Sequence, residues 1–446
     1  MSQVKNFRKE YESDDNEEKL FASVVTGARK VIAIALALFL IVVIVLFHHH
    51  FQLRYDQPFS VMTFLSLPFG YLLFKVVLSF FYQPIDIPVT TGEDAFPFTV
   101  SAVMPCYNES AKSVLMAIES LLSQTYPLKE IFFIDDGSSE QEAYEAVLDF
   151  ITHYDGNVKL AAHRLPENSG KVYAQVWGFE QATSDLIMAV DSDGSIAPNG
   201  VEELVKVFAK DEKVGSVAGY VAARNVGESF VTTVQDINYS GAFSVGRAAQ
   251  SVFNSVVICS GALSLHRRAI IMENLDKYLD ETALRIAVRS GDDRRLTRIS
   301  KQSGWKTKYQ ATAICYTDVP NHTKKFIRQR VRWTRSAWLY SIQNFGVVSW
   351  KRLVYILFSF MESYLWLITL ILWFLFSRNI ETSLDFWLHA LIYYVLMNYL
   401  NTVYYIFHKP IRYILSPIHS LFYGVTLIWI YIKTVVLLFN GKWGTR

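Results

Sequence analysis

A single long polar stretch, about residues 84–350, is bracketed on both sides by apolar runs. Val31–Phe47 is unbroken apolar sequence with Arg29 and Lys30 just before it, and a second run covers about Pro58–Tyr82. Leu353–Phe376, Phe386–Phe407 and roughly Pro417–Phe439 follow the polar stretch. Runs of about 17–25 apolar residues match the hydrocarbon thickness of a bilayer. The chain is therefore expected to hold one water-facing domain between membrane spans. Composition agrees: 51% of the 446 residues are hydrophobic and 15% aromatic, yet 19% are charged. The first run is read as a retained span, because an acid-rich segment precedes it and Phe47-His48-His49-His50-Phe51 stands where small cleavage-site residues would be needed.

Basic flanks set the expected orientation. Arg29 and Lys30 keep the N-terminus in the cytoplasm, so the polar stretch is cytosolic. The acid-leaning loop Arg378–Asp385 fits the outside, and the loop His408–Pro417, with Lys409 and Arg412, fits the inside. A full fifth span would leave Lys442 and Arg446 outside, so the last run is left open between spanning and re-entrant. A net charge of +2 gives no basis for nucleic-acid binding. Three widely spaced cysteines, Cys106, Cys259 and Cys315, imply reduced thiols without a disulfide frame or zinc site.

Within the polar stretch, strand-like segments alternate with helix-like ones. Phe98–Met104, ended by Pro105, Ile131–Ile134, Val158–His163 and Leu186–Val190 read as strands, and Ser110–Ser123 and Gly170–Ala182 as helices. This alternation predicts an α/β fold with a mainly parallel sheet inserted between helical transmembrane segments. Ligands bind such sheets at the carboxyl ends of the strands. That edge carries Asn108, Glu109, Asp135, Asp136, Asp191 and Asp193. No Gly-x-Gly-x-x-Gly follows the first strand, so a dinucleotide site has no support.

Four clusters carry candidate chemistry. Asp191-Ser192-Asp193 puts two carboxylates at a strand end, where they suit a shared Mg2+ or Mn2+ completed by water and phosphate oxygens. A turn or a helix cap is the competing reading. Asp135-Asp136-Gly137-Ser138 has the same alternative, and its position suits contact with a base or ribose. Gly291-Asp292-Asp293-Arg294 offers a carboxylate as general base, or a plain helix cap. In Gln329-Arg330-Val331-Arg332-Trp333, helical spacing puts Gln329, Arg332 and Trp333 on one side, Arg332 to clamp phosphate and Trp333 to face a sugar ring. The same segment also reads as a basic amphipathic helix lying on anionic lipid. Glu362 is the clearest intramembrane acid, and Asn398 and Asn401 mark the following run. In this order at a membrane surface, the clusters describe a sugar-nucleotide transferase.

With those motifs placed, the chain resembles the processive, inverting family 2 glycosyltransferases that include cellulose, chitin and hyaluronan synthases, and within them the bacterial hyaluronan synthases of the streptococcal type. The stretches that carry the resemblance are LSFFYQP (78–84), QTYPLKEIFFIDDGS (124–138), GRAAQSV (246–252), ICSGALSLHRR (258–268), GDDRRLT (291–297), TDVP (317–320) and WGTR (443–446). It implies a GT-A domain using UDP-sugars with Mg2+ or Mn2+. By the resemblance, Tyr107, Asn108, Glu109, Asp136, Lys171, Asp191, Gln329 and Arg332 contact the nucleotide, and Asp193 with Asp191 holds the metal. Asp293 is the base with Asp292 beside it, and Ser260, Gly261, Arg268 and Trp333 lie near the acceptor.

The expected layout is a flexible cytosolic segment over 1–30 and two transmembrane helices over 31–83. A cytosolic GT-A domain follows over 84–322, then interfacial helices over 323–350, and channel-forming helices over 351–446. The expected activity is polymerisation of UDP-N-acetylglucosamine and UDP-glucuronate at the cell membrane, with the nascent polysaccharide extruded past membrane lipids. A chitin-like synthase using UDP-N-acetylglucosamine alone, transfer of one sugar to a lipid phosphate, and a non-catalytic transport or scaffold protein are the alternatives. Three positions depart from the family pattern: Ala262 replaces a usual proline, Arg330 a second glutamine, and Arg335 a lysine. None of the three removes a proposed catalytic group.

Overall fold

The computed structural model describes residues 27–55, 61–88, 98–279, 282–283, 286–287, 291–376 and 384–438. The acid-rich start, most of the loop 378–385 and the closing WGTR string lie outside them. The chain enters through helices α1 (Gly27–Tyr55) and α2 (Val61–Phe81). Ala33, Ala37, Leu40 and Ile44 recur at helical spacing and form the buried face of α1, while Val31, Phe39, Val42 and Leu46 are exposed on its other sides.

The α/β domain follows in the order β1 (Val100–Cys106), α3 (Ala111–Leu122), β2 (Glu130–Asp135), α4 (Glu142–His153), β3 (Lys159–Arg164), α5 (Lys171–Gln181), β4 (Leu186–Ala189), β5 (Gly194–Ile196), α6 (Gly200–Lys210) and β6 (Val214–Ala223). Helix α7 (Phe230–Ser240) then widens into a π-helical segment, Gly241–Arg247, before α8 (Ala248–Val252). Next come β7 (Ser264–Arg267), α9 (Arg268–Glu273), α10 (Leu275–Leu279), the hairpin β8 (Thr282–Ala283) and β9 (Ile286–Ala287), α11 (Asp292–Gln302) and β10 (Lys306–Thr317). Eight strands form one sheet in the order β3-β2-β1-β4-β7-β6-β10-β5. β7 and β5 run against the other six. Alternate side chains feed two apolar clusters, one on each face: Ala102, Met104 and Ile131 in one, Val103, Phe132 and Ile134 in the other.

The first strand begins later and ends later than expected. It runs through Pro105, which pairs with Ile134 of β2. Pairing of β1 with β4 stops at Val103, so beyond that residue the missing Pro105 N–H leaves no ladder bond unmade on that side.

After β10 come α12 (Thr323–Val347), a short 3-10 turn, α13 (Leu353–Phe376), α14 (Leu384–Asn401), a 3-10 segment over Val403–Phe407 and α15 (Pro410–Leu437). Among the described residues three helical stretches are long and apolar enough to cross a membrane: Gly27–His50, Trp350–Leu372 and Pro410–Leu437. The expected run Phe386–Phe407 is not one helix. It breaks at Thr402, where Asn401 packs so closely on Gly241 that a Cβ there would stand 2.5 Å from the Asn401 amide nitrogen. The last apolar run is one continuous helix that starts seven residues earlier than expected and carries Pro417 in its interior. Its 28 residues span about 42 Å at 1.5 Å each. Lys409 and Arg412 at its start face the buried carboxylate of Asp236 in α7, at 3.4 and 3.9 Å, and the Tyr405 hydroxyl donates to the same group. One acid thus docks α15 onto the sheet domain.

Candidate active site

Strands β1, β2, β4 and β10 share a direction, so the residues after their carboxyl ends meet at one edge. A cavity of about 1950 Å³ opens there. Tyr107, Glu109, Asp136, Lys171, Asp191, Asp193, Ser260, Gly261, Asp292, Asp293, Gln329, Arg332 and Trp333 all line it. Two expected residues do not. Asn108 sits at φ +54 and spends its side chain on a turn, its Oδ1 accepting the Ser139 amide at 2.9 Å. Arg268 is at the opposite edge of the sheet. β7 is antiparallel to β4, so it carries the chain from Gly261 away from the cavity, and Arg268 ends with its Nε donating to the Ala182 carbonyl at 2.6 Å.

Lys171, the first residue of α5, is the hub. Its Nζ stands 2.6 Å from Asp191 Oδ1 and 2.9 Å from Asp292 Oδ2. A Cβ on Gly261 would lie 3.1 Å from that Nζ and in ordinary contact, 3.5–3.6 Å, with both carboxylates, so the glycine lets the loop pass close over the three charges. Burial works against the ammonium, but Asp191 and Asp292 hold its pKa well above the usual lysine range. The start of α5 is itself fixed by Asp136, whose carboxylate accepts the Ser169 and Gly170 amides at 2.9–3.1 Å. Burial pushes that carboxyl up to about 6 against those hydrogen bonds.

The adjacent acids Asp292 and Asp293 open α11 after Gly291, which needs its positive φ of 85°. Their environments differ. Burial would raise Asp292, but Lys171 holds it below the ordinary carboxylate range, and Gln175 Nε2 donates to it at 3.3 Å. Burial and the charge of Asp292 push Asp293 up. Pairs driven apart in this way divide acid–base roles. Asp293 is the one poised nearer neutrality, as a general base needs.

Helix α12 roofs the cavity. Gln329 lines the cavity, and its Oε1 is buried without a hydrogen-bond partner. The Arg330 guanidinium lies 4.6 Å from the centre of the Trp333 ring and within 5.7 Å of Phe326, Tyr239 and Tyr423. One face of Trp333 is therefore covered by a cation, and the residue as a whole is 36% exposed. The cavity continues between helices α13, α14 and α15, past Glu362 and Tyr394 to Asn398, Asn401, Ser420 and Tyr423.

Comparison with known proteins agrees with this geometry. The glycosyl transferase family 2 model matches residues 101–275. Hyaluronan synthase from Streptococcus pyogenes is 36% identical over 378 residues, 84% of this chain and 88% of that protein. An N-acetylglucosaminyltransferase from Mesorhizobium japonicum is 32% identical over 59% of this chain and 62% of its own length. A mannosyltransferase from Pyrobaculum calidifontis, solved with GDP-Man and Mn2+, superposes with a TM-score of 0.57 at 17% identity, over 84% of this chain and 96% of its own. The chain belongs to the hyaluronan synthase family of family 2 glycosyltransferases. It is a glycosyltransferase of GT-A-like fold.

A divalent ion fits the donor set of this family member. Burial and the neighbouring Asp191 push Asp193 up to about 7, a cost that a cation between the two carboxylates removes. Among the described residues no group of three or more His, Cys, Asp or Glu side chains is arranged to hold a metal. Two carboxylates with the remaining positions left to phosphate and water suit Mg2+ or Mn2+. Sequence reasoning missed Gln175 and Thr297, although each lies one helical turn after a residue it had singled out, Lys171 and Asp293.

Proposed function

We propose that the chain is a membrane-embedded hyaluronan synthase that alternates transfer from UDP-N-acetylglucosamine and UDP-glucuronate and passes the polymer between its own helices. One observation carries the reading: a single cavity joins Asp191 and Asp293 to the polar side chains of α14 and α15. A donor site continuous with a polar conduit suits a chain-builder better than an enzyme that releases a small product. Arg29 and Lys30, in the first turn of α1, support a cytosolic sheet domain.

In this mechanism Asp136 and Tyr107 contact the nucleoside, while Lys171, Gln329 and Arg332 hold the diphosphate. Asp191 and Asp193 would hold Mg2+ or Mn2+, which supplies charge neutralisation for the departing UDP. Asp293 takes the proton of the acceptor hydroxyl as its oxygen bonds to the anomeric carbon and the bond to UDP breaks, inverting the configuration. Asp292, kept ionised by Lys171, maintains the raised affinity of Asp293 for that proton. Trp333 and the Ser260–Gly261 loop flank the acceptor.

The decisive experiment gives purified protein each UDP-sugar singly and then both. Hyaluronidase-sensitive polymer from the mixture alone is expected. Long polymer from UDP-N-acetylglucosamine alone favours the second reading, a chitin-like synthase, which the match to an N-acetylglucosaminyltransferase keeps in view. Asp293→Asn is expected to abolish synthesis with either donor set, and unchanged polymer from it would remove the catalytic assignment.

A further inference from the structure

Two arginines that the mechanism above does not use, Arg247 and Arg294, line the same cavity as the proposed base. Arg247 closes the π-helical segment. Its Nη1 donates to Gln250 Oε1 at 3.1 Å, and the same oxygen accepts the Val257 amide at 3.0 Å. Its Nε is buried with no hydrogen-bond partner. Arg294 directly follows Asp293, and its side chain lines the same cavity. The segment 257–261 runs between them: Val257 is tied to Gln250 on the Arg247 side, and Cys259 to Thr297 on the Asp293 side.

The local charge does not balance. Glu362 is occupied by Lys75 Nζ at 3.1 Å and by the Tyr71 hydroxyl at 2.9 Å. Among the described residues, neither Arg247 nor Arg294 makes a direct ion pair with a carboxylate, although Asp293 and Glu362 lie near enough to favour the charge of Arg294. Burial, reinforced by the charge of Arg247, pushes Arg294 down to about 10 even with Asp293 beside it. Two guanidiniums held together in a partly desolvated cavity are stabilised by an anion, and a planar carboxylate matches the guanidinium fork.

We propose that Arg247 and Arg294 form a carboxylate-reading acceptor subsite, which takes a uronate unit of the growing chain close to the hydroxyl deprotonated by Asp293. This rests on the hyaluronan reading, because a polymer of N-acetylglucosamine alone carries no carboxylate. A uronate there pairs the two cations, whereas a neutral sugar in the same place leaves them opposed, so a chain that presents a uronate at this position is the better acceptor.

The test uses the full chain in detergent or nanodiscs with two acceptors, a hyaluronan oligosaccharide and the same oligosaccharide with its carboxyl groups reduced to alcohols. Wild-type protein is expected to prefer the carboxylate acceptor by at least about 10-fold in kcat/KM. In Arg247→Gln that ratio falls toward one, and in Arg247→Lys, which keeps the charge and loses the fork, it takes an intermediate value. An Arg247→Gln ratio equal to wild type, or equal losses on both acceptors, overturns the subsite. Failure of the underlying reading looks different: wild-type protein then incorporates no uronate from UDP-glucuronate at all.

Discussion

Thr297 holds Cys259 in place. Its fully buried hydroxyl accepts the Cys259 amide at 2.8 Å and donates to the Asp293 carbonyl at 2.7 Å. One oxygen therefore clips the Ser260–Gly261 loop to the helical turn that carries the proposed base. Thr297→Val keeps the shape and strands a buried N–H, at about 1–3 kcal/mol. The expected result is a loss of roughly 10-fold in kcat with little change in donor KM, restored by Thr297→Ser. Valine activity equal to wild type would remove the clip from the account.

Lys171→Met leaves Asp191 and Asp292 facing each other across Gly261 with no cation between them. Breaking a buried ion pair by removing one partner costs about 3–5 kcal/mol. UDP release should fall by more than about 100-fold. A variant within a few-fold of wild type would show that the lysine bridges the acids without serving the reaction.

Metal removal gives an independent check. Treatment with EDTA should abolish polymer synthesis, and Mn2+ or Mg2+ should restore it in wild type but not in Asp193→Ala. Full activity in the presence of chelator would rule out the Asp191–Asp193 assignment.

Gly291 stands at φ +85°, and a Cβ there would meet Ser336 Cβ at 3.0 Å and Tyr340 Cε2 at 3.1 Å. Gly291→Ala should therefore cost about 1–2 kcal/mol in backbone conformation alone, plus a displacement of α11 against α12. The expected signature is a lower Tm together with reduced kcat, since Asp292 and Asp293 are the next two residues. An alanine variant with unchanged Tm and kcat contradicts this.

His266 supplies a pH dependence of stability. It is buried beside Ser216 and Ser264, and burial pushes its pKa down to about 3 from an ordinary 6.5. The unfolded chain takes up this proton first, so the stability contributed by neutral His266 is full above pH 6.5 and falls as the pH drops toward 3. Between pH 6.5 and 5 the loss is about 2 kcal/mol, at about 1.4 per pH unit. Thermal melts across that range should show the slope, and His266→Asn should flatten it. Parallel slopes in the two proteins would assign the effect elsewhere.

Local chemistry was legible where chain direction was not needed. Buried runs ending in Asp136 and Asp191 marked the binding edge of the sheet, because parallel strands place their ends together. Arg268 was misplaced because an apolar run does not reveal whether a strand runs with or against its neighbours, and β7 runs against β4. The break at Thr402 was equally hidden. It depends on Gly241, which is distant in sequence, and the apolar composition of 386–407 is the same for one helix or two. The pattern of Gln329, Arg332 and Trp333 was read from spacing, but Arg330 closing over Trp333 requires Tyr239 and Tyr423 to converge from other helices. The split between Asp292 and Asp293 likewise requires Lys171, which is remote in sequence and adjacent in space.

The π-helical segment makes chain length a functional variable. Ala248 N–H reaches back five residues to Phe243, so Gly241–Arg247 holds more residues per turn than the helices on either side. Unless the turn rewinds to α-helical pitch, deleting one residue there would rotate all that follows by about 100°. Gln250 would swing off Val257, and Arg247 would point away from the cavity it now lines. A one-residue deletion between Gly241 and Arg247 is thus a change of phase, with consequences that no single side-chain replacement in the segment can match.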